Sequence, residues 1–363
     1  MKEPTKSDSI EIALALSGGG ARAMAFHLGV LRYLAEQGLL ERICRVSTVS
    51  GGSLLVGLMF HQCDMRWPSS EKFKEQVYDP LRAEMCSRSI AWATICQLFL
   101  PWNWVHLLSR ANLVAKVLQG WGIKQCLEDL PCRPEWSING TTAENGRRFR
   151  FKRDSIGDWQ FGYAQGGKFP LAKAMAVSAA FPGLIGPLSI KTKGFAWKKR
   201  KVWDVSAPEE PVTLLFKHLH LYDGGVYDNL GLEPYYDVGR QQSKIKDITI
   251  YVSDAGAPLA IDKASFISLF RAKRLADIMS EQSRTLRVRS FFQYLERSPV
   301  AGAYTYIATK IQGGNEAQAE LARSFPTNLS RMKPEQFDAI AGHGYAVAQD
   351  VERQYGLISR LKL

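Results

Sequence analysis

An α/β fold built on a parallel sheet is what this sequence predicts, on three observations. Residues 10–17, IEIALALS, are an apolar run whose side chains fill both alternating faces, the pattern of a strand covered by helices on both sides. In residues 22–37 the apolar positions Met24, Leu28, Leu31 and Ala35 recur at helical spacing. A second short strand over 45–49 and a second helix over 53–61 repeat the alternation. Strand–helix–strand–helix in this rhythm implies parallel strands joined by right-handed crossovers.

The elements follow in order. Three glycines end the first strand, Gly38 stops the first helix, and Ser50-Gly51-Gly52 forms the turn after the second strand. Residues 64–132 are rich in Trp, Cys and Leu and read as a helical insertion capping the sheet. Further strands are expected over 136–139, 218–222, 248–253 and 303–309, and helices over 171–179, 265–289 and 334–354. With no repeat and no Pro/Gly/Ser-rich linker, the chain divides into one domain over 10–310, carrying the cap, and a helical extension over 311–363 packed on it.

At 363 residues, 46% hydrophobic and 23% charged, the composition excludes a disordered or fibrous chain. A core of this size needs no disulfide staples. The six cysteines, Cys44, Cys63, Cys86, Cys96, Cys126 and Cys132, have neither CxxC nor zinc-site spacing, so they read as reduced thiols of a cytosolic protein. The polar N-terminus lacks the apolar core of a signal peptide. The net charge of +12 suits an anionic partner: nucleic acid, membrane surface or acidic substrate. Residues 89–109 carry no formal charge and approach the length of a membrane span, but Gln97, Pro101, Asn103 and His106 interrupt them. Buried helix and loop is the first reading, a lid or membrane-facing element the second, and a transmembrane helix the third.

Gly18-Gly19-Gly20-Ala21-Arg22 lies between a strand and a helix. Glycine lets backbone N–H groups approach a ligand, and the helix dipole favours negative charge there. The residues also fit G-x-G-x-x-A, but the second strand ends in Thr48-Val49-Ser50-Gly51-Gly52 with no acid for ribose hydroxyls. Nor does a GK[ST] ending follow. The open readings are an oxyanion hole, a nucleotide site and a tight structural turn.

Ser50 stands at a strand-to-helix turn among small residues, the setting of a nucleophile elbow. The elbow pattern is G-x-S-x-G; here Thr48 replaces the first glycine and Gly52 supplies the second. The bland alternative is a helix cap. Ser53 lies past the turn and Ser17 leads into the glycine loop, so both are poorer nucleophile candidates. Asp223-Gly224-Gly225 ends a predicted strand, where open α/β sheets place their chemistry, although an Asx turn is the plainer reading.

Taken together, the glycine loop, Ser50 and Asp223–Gly231 (DGGVYDNLG) resemble the patatin-like phospholipase family. Residues 174–182, AMAVSAAFP, resemble the family's small-residue helix ending at proline. The resemblance runs from about residue 10 to about residue 289. It implies a three-layer α/β/α sandwich with a mostly parallel central sheet and a helical cap. It implies acyl-ester hydrolysis of lipids without metal or cofactor. Ser50 would be the nucleophile and Asp223 its partner in a dyad. Gly18, Gly19 and Gly20 would form the oxyanion hole, and Arg22 would support that loop, near the substrate's phosphate. Gly51, Gly52, Gly224 and Gly225 would shape the two turns. Each oxyanion donor is typically worth about 3 kcal/mol of barrier.

Two rivals stay open. The chain order Ser50, Asp223, His343 mimics a hydrolase triad, and a patatin fold with weakened catalysis could serve as a lipid- or nucleotide-binding module. Lys191, Lys193, Lys198, Lys199, Arg200 and Lys201 lie within eleven residues, with Phe195, Trp197 and Trp203 interleaved or adjacent. No nucleic-acid-binding motif accompanies them. A solvated hairpin and a contact with an anionic membrane are the competing readings. The membrane reading takes Trp197, Lys198, Lys199 and Arg200, with Trp102 and Trp104 of the cap, and makes the protein cytoplasmic and peripherally membrane-associated. Arg271, Lys273, Arg274, Arg284, Arg287 and Arg289 lie on a predicted helix and read as a solvated face.

Overall fold

A computed structural model describes residues 11–182, 185–202, 207–259 and 268–356. The chain opens with β1 (Glu11–Leu16), α1 (Gly20–Glu36), β2 (Ile43–Thr48) and α2 (Gly51–Gln62). The cap helices follow: α3 (Asp79–Ser87), α4 (Ile90–Leu98), the 3-10 turn Pro101–His106, and α5 (Ala111–Gly120). Then come β3 (Glu135–Thr142), β4 (Arg148–Phe151), β5 (Ser155–Asp158), β6 (Gly162–Gln165), α6 (Leu171–Ser178) and β7 (Leu188–Lys191). After these lie β8 (Lys198–Arg200), β9 (Glu209–Pro211), β10 (His218–Asp223), the single turn α7 (Gly225–Asp228), and the small pair β11 (Tyr236–Asp237) and β12 (Gln242–Ser243). The chain closes with β13 (Ile248–Asp254), α8 (Ser268–Arg297), β14 (Gly302–Tyr306), α9 (Glu316–Ser324) and α10 (Pro334–Tyr355).

The main sheet runs β14-β13-β1-β2-β3-β4-β5-β6-β8-β9, with β10 attached to β3 and β7 to β10. Its first five strands pair in parallel, as the crossovers demand. The expected α/β fold is therefore present, with an added feature. From β3 onward the pairing is antiparallel, because short hairpins replace the crossover helices. These strands are short and mixed in polarity, so they carry no clear signal in the sequence. The second expected strand is 43–48 rather than 45–49, and the long helix extends to Arg297 rather than 289. Residues 265–267 and Trp203 lie outside the described residues.

The register of β3 positions the two strand ends that carry Ser50 and Asp223. β3 changes partner part-way along one edge: Thr48 of β2 stands opposite Ile138, and Asp223 of β10 stands opposite Gly140. Two strand residues span roughly 6.6 Å. The ends of β2 and β10 are thus brought together on a single strand.

The last helix, α10, lies along α1. A Cβ at Gly29 would fall 1.9 Å from the Ala341 carbonyl oxygen, and one at Gly344 would fall 2.2 Å from that of Phe26, so only glycine allows this crossing. The segment before α10 ties the cap to the sheet: Leu329 O accepts the Ala91 N–H at 3.0 Å and Met85 O accepts the Met332 N–H at 3.0 Å. Among the described residues no helix is long and apolar enough to cross a membrane. The uncharged segment 89–109 forms α4 and the 3-10 turn of the cap and is largely exposed, which corrects the buried helix and loop expected first and leaves the lid-like element of the second reading.

Candidate active site

Ser50 sits between β2 and α2 with φ 50° and ψ −118°. A non-glycine residue at positive φ is strained, and such strain persists only where the surroundings enforce it. The enforcement here is a chain of buried hydroxyls. The Trp136 indole N–H donates to Thr48 Oγ1 at 2.9 Å, and Thr48 and Ser53 hydroxyls meet at 2.7 Å. Ser53 and Ser178 hydroxyls meet at 2.8 Å, and Ser178 Oγ donates to Asn139 O at 2.7 Å. With the Ser178 proton committed to a carbonyl, each hydroxyl upstream can donate only to the next. The Ser50 N–H then donates to Ser178, reaching both Oγ at 3.0 Å and the carbonyl oxygen at 3.1 Å. Thr48 therefore does more than fill the place of the elbow's first glycine. Its hydroxyl helps to hold the turn. Gly51 lets the turn close, since a Cβ there would fall 2.3 Å from Gly20 O.

Asp223 ends β10 and is buried. Its N–H donates to Ala180 O at 3.1 Å, and its carbonyl oxygen accepts from Thr141 Oγ1 at 2.8 Å. Its carboxylate accepts the Gly225 N–H at 2.7 Å, and the Ser50 side chain is near enough to favour its charged form. Burial pushes this carboxyl up to about 7, against the opposing pull of those two groups. The DGGVYDNLG block then turns back on the glycine loop. Asp228 caps its own turn through the N–H groups of Leu230 and Glu233 at 3.1 and 2.7 Å. This holds Asn229, whose carbonyl oxygen accepts the Gly18 N–H at 3.0 Å.

That bond corrects one expectation: the Gly18 N–H is already spent inside the protein and is not aimed at a substrate. The N–H groups of Gly19 and Gly20 have no acceptor among the described residues. Behind the loop, buried His27 is held down to about 4, mainly by desolvation, and is therefore neutral. Its Nδ1 meets Ser253 Oγ at 2.7 Å and its Nε2 meets Ser17 O at 3.0 Å. Arg22 supports the loop, the role the resemblance implied for it. Its guanidinium is buried and donates to Phe325 O at 2.5 Å and Ala255 O at 3.2 Å. It braces the loop through these main-chain oxygens. Asn328, three residues beyond Phe325, accepts the Ala21 N–H at 2.7 Å. Among the described residues no three His, Cys, Asp or Glu side chains gather as a metal set.

A strained serine, a buried carboxyl and a glycine loop meeting in one crevice call for comparison with known proteins. The patatin-like phospholipase family matches residues 14–236. This chain belongs to that family. The patatin match covers the second half of β1, the glycine loop, Ser50 and Asp223 and stops in β11. No curated protein sequence matches the chain. Among solved structures, human GIVD cytosolic phospholipase A2 superposes with TM-score 0.55 at 15% identity, over 99% of this chain and 61% of that one. Its complex with methyl gamma-linolenyl fluorophosphonate and terbium chloride gives TM-score 0.54 at 13% identity, over 100% of this chain and 60% of that one. VipD from Legionella pneumophila gives TM-score 0.43 at 14% identity, over 96% of this chain and 67% of that one. The chain spans about three fifths of the length of the human structures, and at these identities the likeness is one of fold.

The remaining predicted residues sort clearly on this patatin fold. His343 lies in α10, buried, with Nε2 at 2.8 Å from Ile307 O and its ring against Phe26. Its ring is committed to the α1–α10 packing and not to Ser50 or Asp223. Trp197 is buried, its indole N–H donating to Thr192 O at 3.0 Å, so it is a core residue and no membrane contact. Arg200 and Lys201 are matched by Glu209 and Glu210 of β9 at 3.0 and 2.8 Å, leaving Lys198 as the exposed basic residue of β8. Lys199 is half-buried. Arg284 and Arg287 do not face solvent: Arg284 is paired with Asp254 and Glu281, and Arg287 with Glu233. Trp102 and Trp104 are 68% and 58% exposed, beside exposed Trp92, Phe99 and Leu108. Sequence reasoning does not single out Ser178, Asn139, Asn229 or Asn328. Ser178 and Asn229 carry a signal, lying in the AMAVSAAFP and DGGVYDNLG blocks.

Proposed function

We propose that the chain hydrolyses fatty-acyl esters of lipids through Ser50 and Asp223, without a histidine relay. The observation that carries this reading is the β3 register that brings the strand ends of Ser50 and Asp223 together, with burial pushing the Asp223 carboxyl up to about 7. A base poised near the working pH is the one best placed to take the serine proton. In the first step Ser50 Oγ attacks the ester carbonyl carbon and its proton passes to Asp223. The carbonyl oxygen becomes an oxyanion, met by the N–H groups of Gly19 and Gly20 at the start of α1. Collapse breaks the ester C–O bond, Asp223 returns its proton to the leaving alcohol, and acyl-Ser50 remains. Asp223 then takes a proton from the water that attacks the acyl carbon and returns it to Ser50 Oγ as the acyl C–O bond breaks, which frees the fatty acid and restores Ser50.

The substrate class is phospholipid or another acyl-ester lipid, reached at an anionic membrane surface to which the protein binds peripherally. The exposed apolar tip of the cap supports this. Ser109 Oγ donates to Pro187 O at 2.5 Å, seven residues along the chain from Ala180, which receives the Asp223 N–H. The tryptophans are exposed on this cap, and such rings suit a lipid interface. The test is fatty-acid release from mixed phosphatidylcholine/phosphatidylglycerol vesicles in EDTA. Release by the wild type and none by Ser50→Ala is expected. Equal release by both would overturn the reading. Absence of release by either, from folded protein, would favour a patatin fold kept for binding.

A further inference from the structure

Strand β7 carries a second feature that the hydrolytic reading leaves unused. Pro187, where the cap is anchored, leads directly into it. Leu188 and Ile190 then point inward while Ser189 and Lys191 are exposed. Alongside opens a groove of about 840 Å³, walled by β7, by residues 165–170 and by the first turn of α6. Its apolar floor includes Phe169, Leu188 and Phe195, and three ammonium groups, those of Lys168, Lys173 and Lys191, line it. None of the three has an ion-pair or hydrogen-bond partner among the described residues. Asp154 and Glu128 also reach the groove. Asp154 is engaged by Arg153 at 3.3 Å, and Glu128 lies over Gly167.

Lys168, Lys173 and Lys191 outnumber Glu128 and Asp154 in the lining, so the groove carries a net positive charge that a bound anion offsets. The apolar floor adds a second demand, because a bare inorganic anion would leave it wet. The volume is within the usual range for small-molecule sites. We infer that this groove binds one anionic phospholipid, its phosphate among Lys168, Lys173 and Lys191 and an acyl chain along Phe169, Leu188 and Phe195. The site is distinct from the crevice of Ser50. Lys173 lies five residues upstream of Ser178, roughly 7–8 Å along α6. It opens beside the cap anchor, so a lipid held there keeps the protein on the surface that supplies its substrate.

The test is calorimetric titration of Ser50→Ala protein with dihexanoylphosphatidylglycerol below its micellar concentration, with dihexanoylphosphatidylcholine, and with inorganic phosphate. Because no turnover is read, the result is independent of whether Ser50 is the nucleophile. The anionic lipid is expected to bind, and the zwitterionic lipid and phosphate at least about tenfold more weakly. The combined variant Lys168→Gln/Lys173→Gln/Lys191→Gln should weaken phosphatidylglycerol binding by roughly 100-fold, each lysine near an anionic lipid contributing a factor of about five. Ser189→Glu, which adds a carboxylate to the exposed rim and removes nothing buried, should weaken it by about tenfold with an unchanged melting temperature. Equal binding of both lipids, binding that survives these variants, or no binding of phosphatidylglycerol would overturn the inference. Phosphate binding as tightly as the lipid would overturn its lipid part.

Discussion

Thr48 and Ser53 hold their hydroxyls 2.7 Å apart beneath the strained turn of Ser50. The Trp136 indole N–H and the Ser178 hydroxyl complete the line. Restoring the elbow pattern with Thr48→Gly should therefore harm the protein. It strips the acceptor from a buried indole and a donor from Ser53, at a cost of about 2–4 kcal/mol. Thr48→Ser should lose under about 1 kcal/mol, because the hydroxyl remains. Urea denaturation of both variants checks this. A Thr48→Gly protein as stable as the wild type would show that the hydroxyl line holds nothing.

The Asp223 carboxyl gives two pH dependences of opposite sense. As a base it acts deprotonated, so turnover should rise with pH through about 7 and then level. Its folded pKa lies above the unfolded value, so the folded state holds the proton more tightly. Its contribution to stability is full below about 4 and is lost as pH rises through about 7. Asp223→Asn should thus be inactive and yet more stable than wild type at pH 8, by on the order of 1–3 kcal/mol, with the gain vanishing near pH 4. Thermal melts at the two pH values decide it. A variant less stable at both would remove burial of the charge as the cause.

His343 packs α10 against α1 and takes no part in the proposed chemistry. His343→Ala should lower stability by about 1–3 kcal/mol while keeping turnover within about threefold at temperatures where it is folded. A loss of about a thousandfold or more in kcat from a folded His343→Ala protein would restore the triad.

Arg22 braces the glycine loop through main-chain oxygens of Phe325 and Ala255. Arg22→Met should reduce turnover of p-nitrophenyl butyrate and of phospholipid by the same factor, since the loop serves both. It should also destabilise by about 2–4 kcal/mol. A loss confined to the phospholipid would mean that Arg22 touches the phosphate after all.

Much of the fold is legible in the sequence, for identifiable reasons. The parallel centre announces itself because β1 is buried on both faces and must be apolar throughout. Ser50 and Asp223 stand out because each ends a strand beside glycines. The antiparallel wing is not legible, its strands being three or four residues long with mixed polarity. The braces of the site are hidden for a different reason. Asn229, Asn328 and Ala255 act through carbonyl oxygens, which every residue carries, and only the fold decides which one faces Gly18, Ala21 or Arg22. Trp197 shows the limit of reading by residue type. A tryptophan among lysines suggests an interface, but an indole N–H that finds Thr192 O can be buried.

Whether Ser50 carries the acyl group while Asp223 moves its proton is tested most directly by mass spectrometry. Protein is quenched within the first turnovers of p-nitrophenyl octanoate and its peptides are mapped. An octanoyl group is expected on the peptide containing Ser50, absent from Ser50→Ala and formed at least about a thousandfold more slowly by Asp223→Asn. Turnover by the wild type with no acyl group on Ser50, or acylation of Asp223→Asn at the wild-type rate, would contradict the dyad.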